Sequence, residues 1–267
     1  APHSMKSSTQ ISAKSLGLYL AVCFSLLSVL LTLILLVVID VTVTKQAKAS
    51  IGGNLAELAH QMSYRLDRAM FERYREVQLI ADRIGWDGKP VSGPENRRML
   101  DALQRTYPNY AWIGATDERG KVLVATRGVL ENEDVSGRPW FQNVKTHLHV
   151  GDVQEAKMLA KLLPNNTGEP LRFVDIAFPY AGPDGARRGV LGAHLSWVWA
   201  RDIQRSIMEP VDAARKLDAL ILSADNTVLL GPPDLQGKTL ELDSLKKLQR
   251  GTNGFHTENL PDGHEYL

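Results

Sequence analysis

Residues 16–39, "LGLYLAVCFSLLSVLLTLILLVVI", run for 24 positions without a charge, and this stretch constrains the chain more than any other. As a helix rising about 1.5 Å per residue it exceeds the roughly 30 Å of bilayer hydrocarbon, so it spans with some tilt. A cleaved signal peptide has a shorter apolar core and a small-residue cleavage site, and neither feature is seen. The expectation is a retained transmembrane helix over residues 16–43, preceded by a cytoplasmic N-terminus of residues 5–15. Residues 1–4, "APHS" ahead of Met5, read as an expression remnant outside the fold. Lys6 and Lys14 before the span nearly balance Lys45 and Lys48 after it, so charge says little about orientation.

The 267 residues leave room for one large or two modest domains. A net charge of +1 gives no footprint for nucleic acid, which is excluded as a partner. Cys23 is the single cysteine and lies in the apolar stretch, so the remainder needs no disulfides and suits a periplasm.

After the span, residues 44–84 read as one long helix. Apolar positions Leu55, Leu58, Met62, Leu66, Ala69, Met70, Val77, Ile80 and Ile84 recur at helical spacing, interrupted once by Arg73. Gly52-Gly53 reads as a break between span and helix, because glycine is poor in helix interiors. Such a helix suits a lever for a signal, and equally a helix that merely packs on its domain.

The grammar then changes to strands. Pro94–Tyr107 is a short helix opened by proline. "YAWIGATDERGKVLVAT" is a hairpin around Asp117-Glu118-Arg119-Gly120, and "GRPWFQNVKTH" is another short helix. "LRFVDIAFPYAGPDGARRGVLGAHLSWVW" is a second hairpin turning at Asp184-Gly185, followed by the helix "RDIQRSI". The last sixty or so residues repeat the pattern in miniature, with a hairpin at Ala224-Asp225-Asn226, a helix "DSLKKLQRG" and a further hairpin at Asp262-Gly263. The expected class is α+β: a long helix leading two antiparallel-sheet units, residues 85–208 and residues 209–267. The chain reads as ending in mid-strand, so the second unit is expected to be truncated and the chain a fragment.

Asp-Gly favours a two-residue turn, because both central positions need positive φ. With Asp184-Gly185 as that turn, opposed residues sum to 369, which sets Asp175 against His194 and Phe173 against Ser196. Period-two alternation then gathers Phe173, Asp175, Ala177, Gly192, His194 and Ser196 on one face. Opposed Cβ atoms lie about 4.5–5.5 Å apart, within reach of a carboxylate–imidazole hydrogen bond. The competing reading is an exposed polar pair. Against it, Phe173, Ala177 and Gly192 make a poor solvent face, and Gly192 leaves room of the kind a ligand uses. "SGRPWF" adds Arg138, whose fork suits a carboxylate or phosphate, with Trp140 and Phe141 as cavity walls. Their alternative is a surface arginine with two core aromatics. Asp152 follows a glycine and fits turn chemistry as readily as a site.

The span, the long helix, the two α+β units, "SGRPWF" and "GVLGAHL" together resemble the double Cache (dCache) extracytoplasmic sensor domains of bacteria. The resemblance covers residues 44–267. It implies ligand binding in the membrane-distal unit. In the amino-acid-binding branch, an Arg and Trp like Arg138 and Trp140 hold the ligand carboxylate, and an aspartate on the later strand holds its amine. Here His194 stands at that aspartate's place, and Phe141 where a tyrosine is usual. The phrase "HVGDVQEAKMLAKLLP…EPLRFVDIAFP…GVLGAHLSWVWA" is similar to the Cache region of membrane-bound diguanylate cyclases with a GGDEF domain.

The expected ligand-binding set is therefore Arg138, Trp140, Phe141, Asp152, Phe173, Asp175 and His194. The ligand is expected to be a small solute bearing a carboxylate, with no cofactor. His194, Asp175 and Asp152 are too few donors to favour a metal. No nucleophile elbow, paired-histidine zinc helix or glycine-rich phosphate loop is present, so no catalytic residue is assigned. The reading that follows is a receptor homodimer in a bacterial inner membrane, with its sensor in the periplasm, controlling a diguanylate cyclase. The alternatives are the same sensor on a histidine kinase or methyl-accepting chemoreceptor, or an anchored binding protein.

Overall fold

A computed structural model describes residues 9–86, 88–144, 148–155, 159, 162–163, 171–212, 217–242, 244–245, 254–259 and 265–266. The chain divides into two compact units, residues 1–57 with 251–267, and residues 58–250. Helix α1 covers Thr9–Ile84. Every residue from Leu16 to Ser50 is exposed, and α1 is long and apolar enough to cross a membrane.

The expected break at Gly52-Gly53 does not occur, since α1 is helical through both residues. A glycine costs only about 1 kcal/mol in a helix interior. Good helix formers on either side, Ala47, Lys48 and Ala49 before, Leu55, Ala56, Glu57 and Leu58 after, outweigh that penalty.

The second unit continues with α2 (Pro94–Thr106), β1 (Tyr110–Thr116) and β2 (Val122–Ala125). A single 3₁₀ turn at Thr126–Gly128 leads to α3 (Pro139–Asn143). Two short strands follow, β3 (His149–Val150) and β4 (Gln154–Glu155), then the long hairpin β5 (Arg172–Ala181) and β6 (Arg187–Ser196). Helix α4 (Val198–Asp212) leads to β7 (Ile221–Leu222) and β8 (Val228–Leu230). In the first unit β9 (Glu258–Asn259) pairs antiparallel with β10 (Glu265–Tyr266). Most of the expected helix "DSLKKLQRG" lies outside the described residues.

The main sheet is antiparallel, ordered β2-β1-β6-β5-β3, with β4 also on β5. Alternation divides its side chains between two buried layers. Ile113, Ala115, Ile176, Phe178, Leu191, Ala193 and Leu195 pack with Val77, Ala81 and Ile84 of α1 and Leu100 of α2. The opposite face carries Trp112, Phe173, Ala177 and Val190, covered by Trp140 and Val144. A sheet covered on both faces excludes the exposed-pair reading of Asp175 and His194.

Arg73, the one interruption in the α1 stripe, acts as a polar latch. Its guanidinium lies 4.5 Å over the Tyr107 ring and pairs with Glu76 at 2.9 Å. Tyr110 donates its hydroxyl to the same Glu76 carboxylate at 2.8 Å. Burial, and then Glu76, push the Tyr110 hydroxyl above the usual tyrosine range, so it stays a donor at neutral pH.

The β5–β6 register is the expected one, with Asp175 opposite His194 and Phe173 opposite Ser196, but the turn is not. Gly182 N–H donates to Ala186 O and Gly185 N–H to Gly182 O, which leaves a three-residue loop. Only Gly185 of the Asp-Gly pair has positive φ, at +76°. This is the three-residue hairpin with glycine in the left-handed position. A bulge between Ala181–Arg187 and Tyr180–Gly189 then absorbs Arg188. Asp184 holds that bulge by pairing with Arg188 at 2.6 Å. Two one-residue departures cancel.

Two glycine substitutions separate these constraints. A Cβ on Gly53 meets nothing within 4 Å, whereas one on Gly189 collides with the Thr116 carbonyl and lies 2.8 Å from Tyr180 Oη. Gly53→Ala is expected to stabilise α1 by about 1 kcal/mol. Gly189→Ala is expected to cost about 1–3 kcal/mol and several degrees of Tm. Thermal unfolding in nanodiscs checks both; a neutral Gly189→Ala would contradict the packing.

Candidate functional site

His194 sits in the middle of β6, flanked across the ladder by Asp175 of β5 and Trp112 of β1. Its Nδ1 and the Asp175 carboxylate form a direct hydrogen bond. Asp175 is 1% exposed and His194 7%, so the pair is held inside the protein. The bond engages Nδ1 and leaves Nε2 as the other ring nitrogen of the imidazole. Among the described residues Nε2 makes no hydrogen bond.

Aromatic rings box the imidazole. Trp112 lies 5.2 Å away, tilted 39°; Trp140 stands edge-on at 5.9 Å and Phe173 at 6.4 Å. Phe141 meets Trp140 edge-on at 6.1 Å and is half-buried. The space beside Gly192 is occupied: a Cβ there would lie 2.8 Å from the Trp140 ring. The glycine therefore admits an indole against the strand, where a ligand had been expected. The expected set splits accordingly. Trp140, Phe141, Phe173, Asp175 and His194 come together as one cluster.

Arg138 is half-buried in extended conformation immediately before α3, and its carbonyl accepts Phe141 N–H and Gln142 N–H at 3.0 Å. Asp152 is exposed, and its carboxylate accepts the N–H of Val153 at 2.7 Å, which is local turn chemistry. Among the described residues it joins the cluster only through its neighbour: Gly151 N–H donates to Asp175 O at 2.7 Å.

Trp112 is the site residue missed from the sequence. A bulge at Ala111 makes it one: Tyr110 opposes Leu195 while Trp112 opposes His194, so the two aromatics fall on opposite faces. Gln104 holds the bulge by donating Nε2–H to Tyr110 O and Ala111 O, at 3.0 and 2.9 Å. Trp112 Nε1–H donates to Val129 O at 2.9 Å, which ties the box to the loop 126–132. Arg127, Leu130 and Asn132 of that loop have positive φ. Strain of this kind costs roughly 1–3 kcal/mol per residue and persists only where surroundings enforce it. Here Glu131 does so, pairing with Arg97 and accepting Ala125 N–H at 2.9 Å. One visible signal was "YAWIG", a tryptophan in a strand of small residues; its partner strand lies some eighty residues on.

No family model and no curated protein matches the chain. Solved structures do. The ligand-binding domain of the Pseudomonas aeruginosa amino acid chemoreceptor PctC, in complex with GABA, aligns at TM-score 0.58 and 18% identity, over 80% of this chain and 88% of that one. The sensor domain of the V. cholerae histidine kinase DctB aligns at TM-score 0.53 and 10% identity, over 71% and 70%. An extracellular ligand-binding receptor from Desulfohalobium retbaense aligns at TM-score 0.52 and 16% identity; 68% of this chain is covered, but only 32% of that one. These likenesses, all below 25% identity, establish the fold: α+β, a long apolar helix followed by an antiparallel-sheet domain like those of these sensor domains.

The buried pair generates a prediction about stability. Asp175→Ala leaves the imidazole donor unsatisfied and is expected to cost about 1–3 kcal/mol. Phe141→Leu, at the edge of the box, is expected to cost less. Chemical denaturation of both variants in nanodiscs checks this; equal losses would contradict it.

Proposed function

We propose that this chain is the extracytoplasmic ligand-sensing part of a membrane-bound bacterial receptor, and that its ligand binds at His194. The observation that carries the reading is a buried, hydrogen-bonded Asp175–His194 pair in an aromatic box, with Nε2 making no hydrogen bond among the described residues. A pair of this kind in a core without function would be replaced by apolar side chains at little cost. The fold supports the sensor reading, because its neighbours include a chemoreceptor domain and a kinase sensor. Helix α1 supports the anchor, since it carries both a bilayer-length apolar stretch and, between Met70 and Ile84, apolar residues packed on the sheet.

Arg138 and Trp140 then grip an acidic group of a small solute, with Phe141 and Phe173 as apolar walls. His194, oriented by Asp175, accepts a hydrogen bond from a ligand hydroxyl or amine. Asp152, exposed on the turn after β3, is assigned to the ligand as a further acid. On this reading the ligand lies in a membrane-distal unit of residues 85–208, residues 209–267 belong to a membrane-proximal unit, and both lie in the periplasm.

Transmission would run along β1. Trp112 packs on His194, and two residues earlier Tyr110 bonds Glu76 of α1. A ligand that displaces Trp112 pulls on the bulge and, through the Arg73–Glu76–Tyr110 latch, on α1. In a homodimer paired through α1, that motion biases a two-state equilibrium. A diguanylate cyclase is the output favoured by the sequence resemblance. A histidine kinase or chemoreceptor output is supported on the same footing by the structural neighbours.

The test is a thermal-shift screen of the chain in nanodiscs against small carboxylates and amino acids at millimolar concentration. A ligand is expected to raise Tm by several degrees in the native chain and by none in His194→Ala or Arg138→Ala. If both variants keep the full response, the site is misplaced.

A further inference from the structure

The chain around β3 reverses the pattern expected at the edge of a covered sheet. Leu148 and Val150 are 42% and 46% exposed, while the polar residue between them, His149, is half-buried. His149 pairs with Ala177 of β5, which is fully buried on the face that carries Phe173 and Trp112. Directly opposed residues share a face, so His149 lies on the same side of the sheet as Asp175 and His194. Turning an imidazole inward and two apolar side chains outward gives up burial that the reverse arrangement would keep. Such inversions belong at functional positions.

Gly151 makes room for the imidazole. A Cβ on Gly151 would lie 3.0 Å from His149 Nε2 and 3.3 Å from Asp175 Cβ. The ring therefore leans over the glycine and stands beside Asp175. Because β3 and β6 flank β5, His149 and His194 approach that carboxylate from opposite sides. The interior of the cluster is closed, with Asp175, His194 and Trp140 all buried, whereas Arg138, Phe141 and His149 are half-buried. Helix α3 packs against β3 as well as β5 and β6, so these three form one solvent-side edge of the cluster.

We propose that His149 is a specificity-determining residue of the His194 site, and that it selects a short hydroxy acid by binding the hydroxyl. This rests on the His194 reading above and adds to it the ligand's second polar group. Arg138 takes the carboxylate. A second carboxylate would meet repulsion from Asp175, which stands between the two imidazoles. An imidazole offers a donor and an acceptor across its two nitrogens, and a hydroxyl answers both, whereas an ammonium only donates.

Isothermal titration of the chain in nanodiscs with butyrate and with 2-, 3- and 4-hydroxybutyrate is the experiment. At least one hydroxybutyrate is expected to bind about ten-fold more tightly than butyrate, which is what one well-made hydrogen bond supplies. His149→Ala should bring that ratio close to one and leave butyrate binding as in the native chain. His149→Leu, which fills a similar volume without a hydrogen bond, should do the same, and His149→Gln should keep part of the ratio. A ratio kept in His149→Ala and His149→Leu but lost in His194→Ala overturns this inference and leaves the His194 reading standing. A ratio that survives in all three overturns both. Equal binding of butyrate and every hydroxybutyrate, or no heat with any of the four acids, overturns the inference.

Discussion

Because side chains alternate along a strand, a one-residue slip between β5 and β6 would send Asp175 and His194 to opposite faces of the sheet. The observed register prevents this, and the rest of the site depends on it. With Asp175 opposite His194, the imidazole is held by Nδ1 and presents Nε2. The same pleat puts Gly192 where Trp140 must lie and Phe173 where it closes the box. Burial on both faces then makes the polar pair expensive unless it is fully bonded or used. The site is thus a consequence of strand geometry, with α3 and the 126–132 loop added as cover.

The bulge at Ala111 gives the fold its directional connection. A regular β1 would carry Tyr110 and Trp112 on the same face. One extra residue sends Trp112 to His194 and Tyr110 to Glu76, so one strand touches both the box and α1. Gln104 holds the bulge from α2, and the Arg73 guanidinium fixes the Glu76 carboxylate that receives Tyr110. Polar contacts placed inside an otherwise apolar interface define one helix position more sharply than apolar packing alone.

Much of this was legible in the sequence because it is local. The apolar span, the α1 stripe, the Pro94 helix and the hairpin cores follow from spacing and turn residues within a few positions. The Asp175–His194 pairing was right although the turn was wrong: an added loop residue and a bulged Arg188 cancel, and neither is encoded by Asp-Gly. The Gly52-Gly53 break failed because local propensity is weak against a long run of helix formers. Arg73 looked like a fault in the stripe until Tyr107, Tyr110 and Glu76 were seen around it. Trp112 could not be read as a site residue, since its role depends on pairing with a strand far along the chain. Gly192 was read as space for a ligand, and the indole of Trp140 occupies it.

The central claim is that ligand chemistry converges on His194. A crystal structure of the chain with a ligand from the solute screen tests this most directly. The account predicts ligand density in contact with His194 Nε2 and bordered by Trp140 and Arg138. An unaltered His194 box, with the ligand bound elsewhere in the chain, would contradict it.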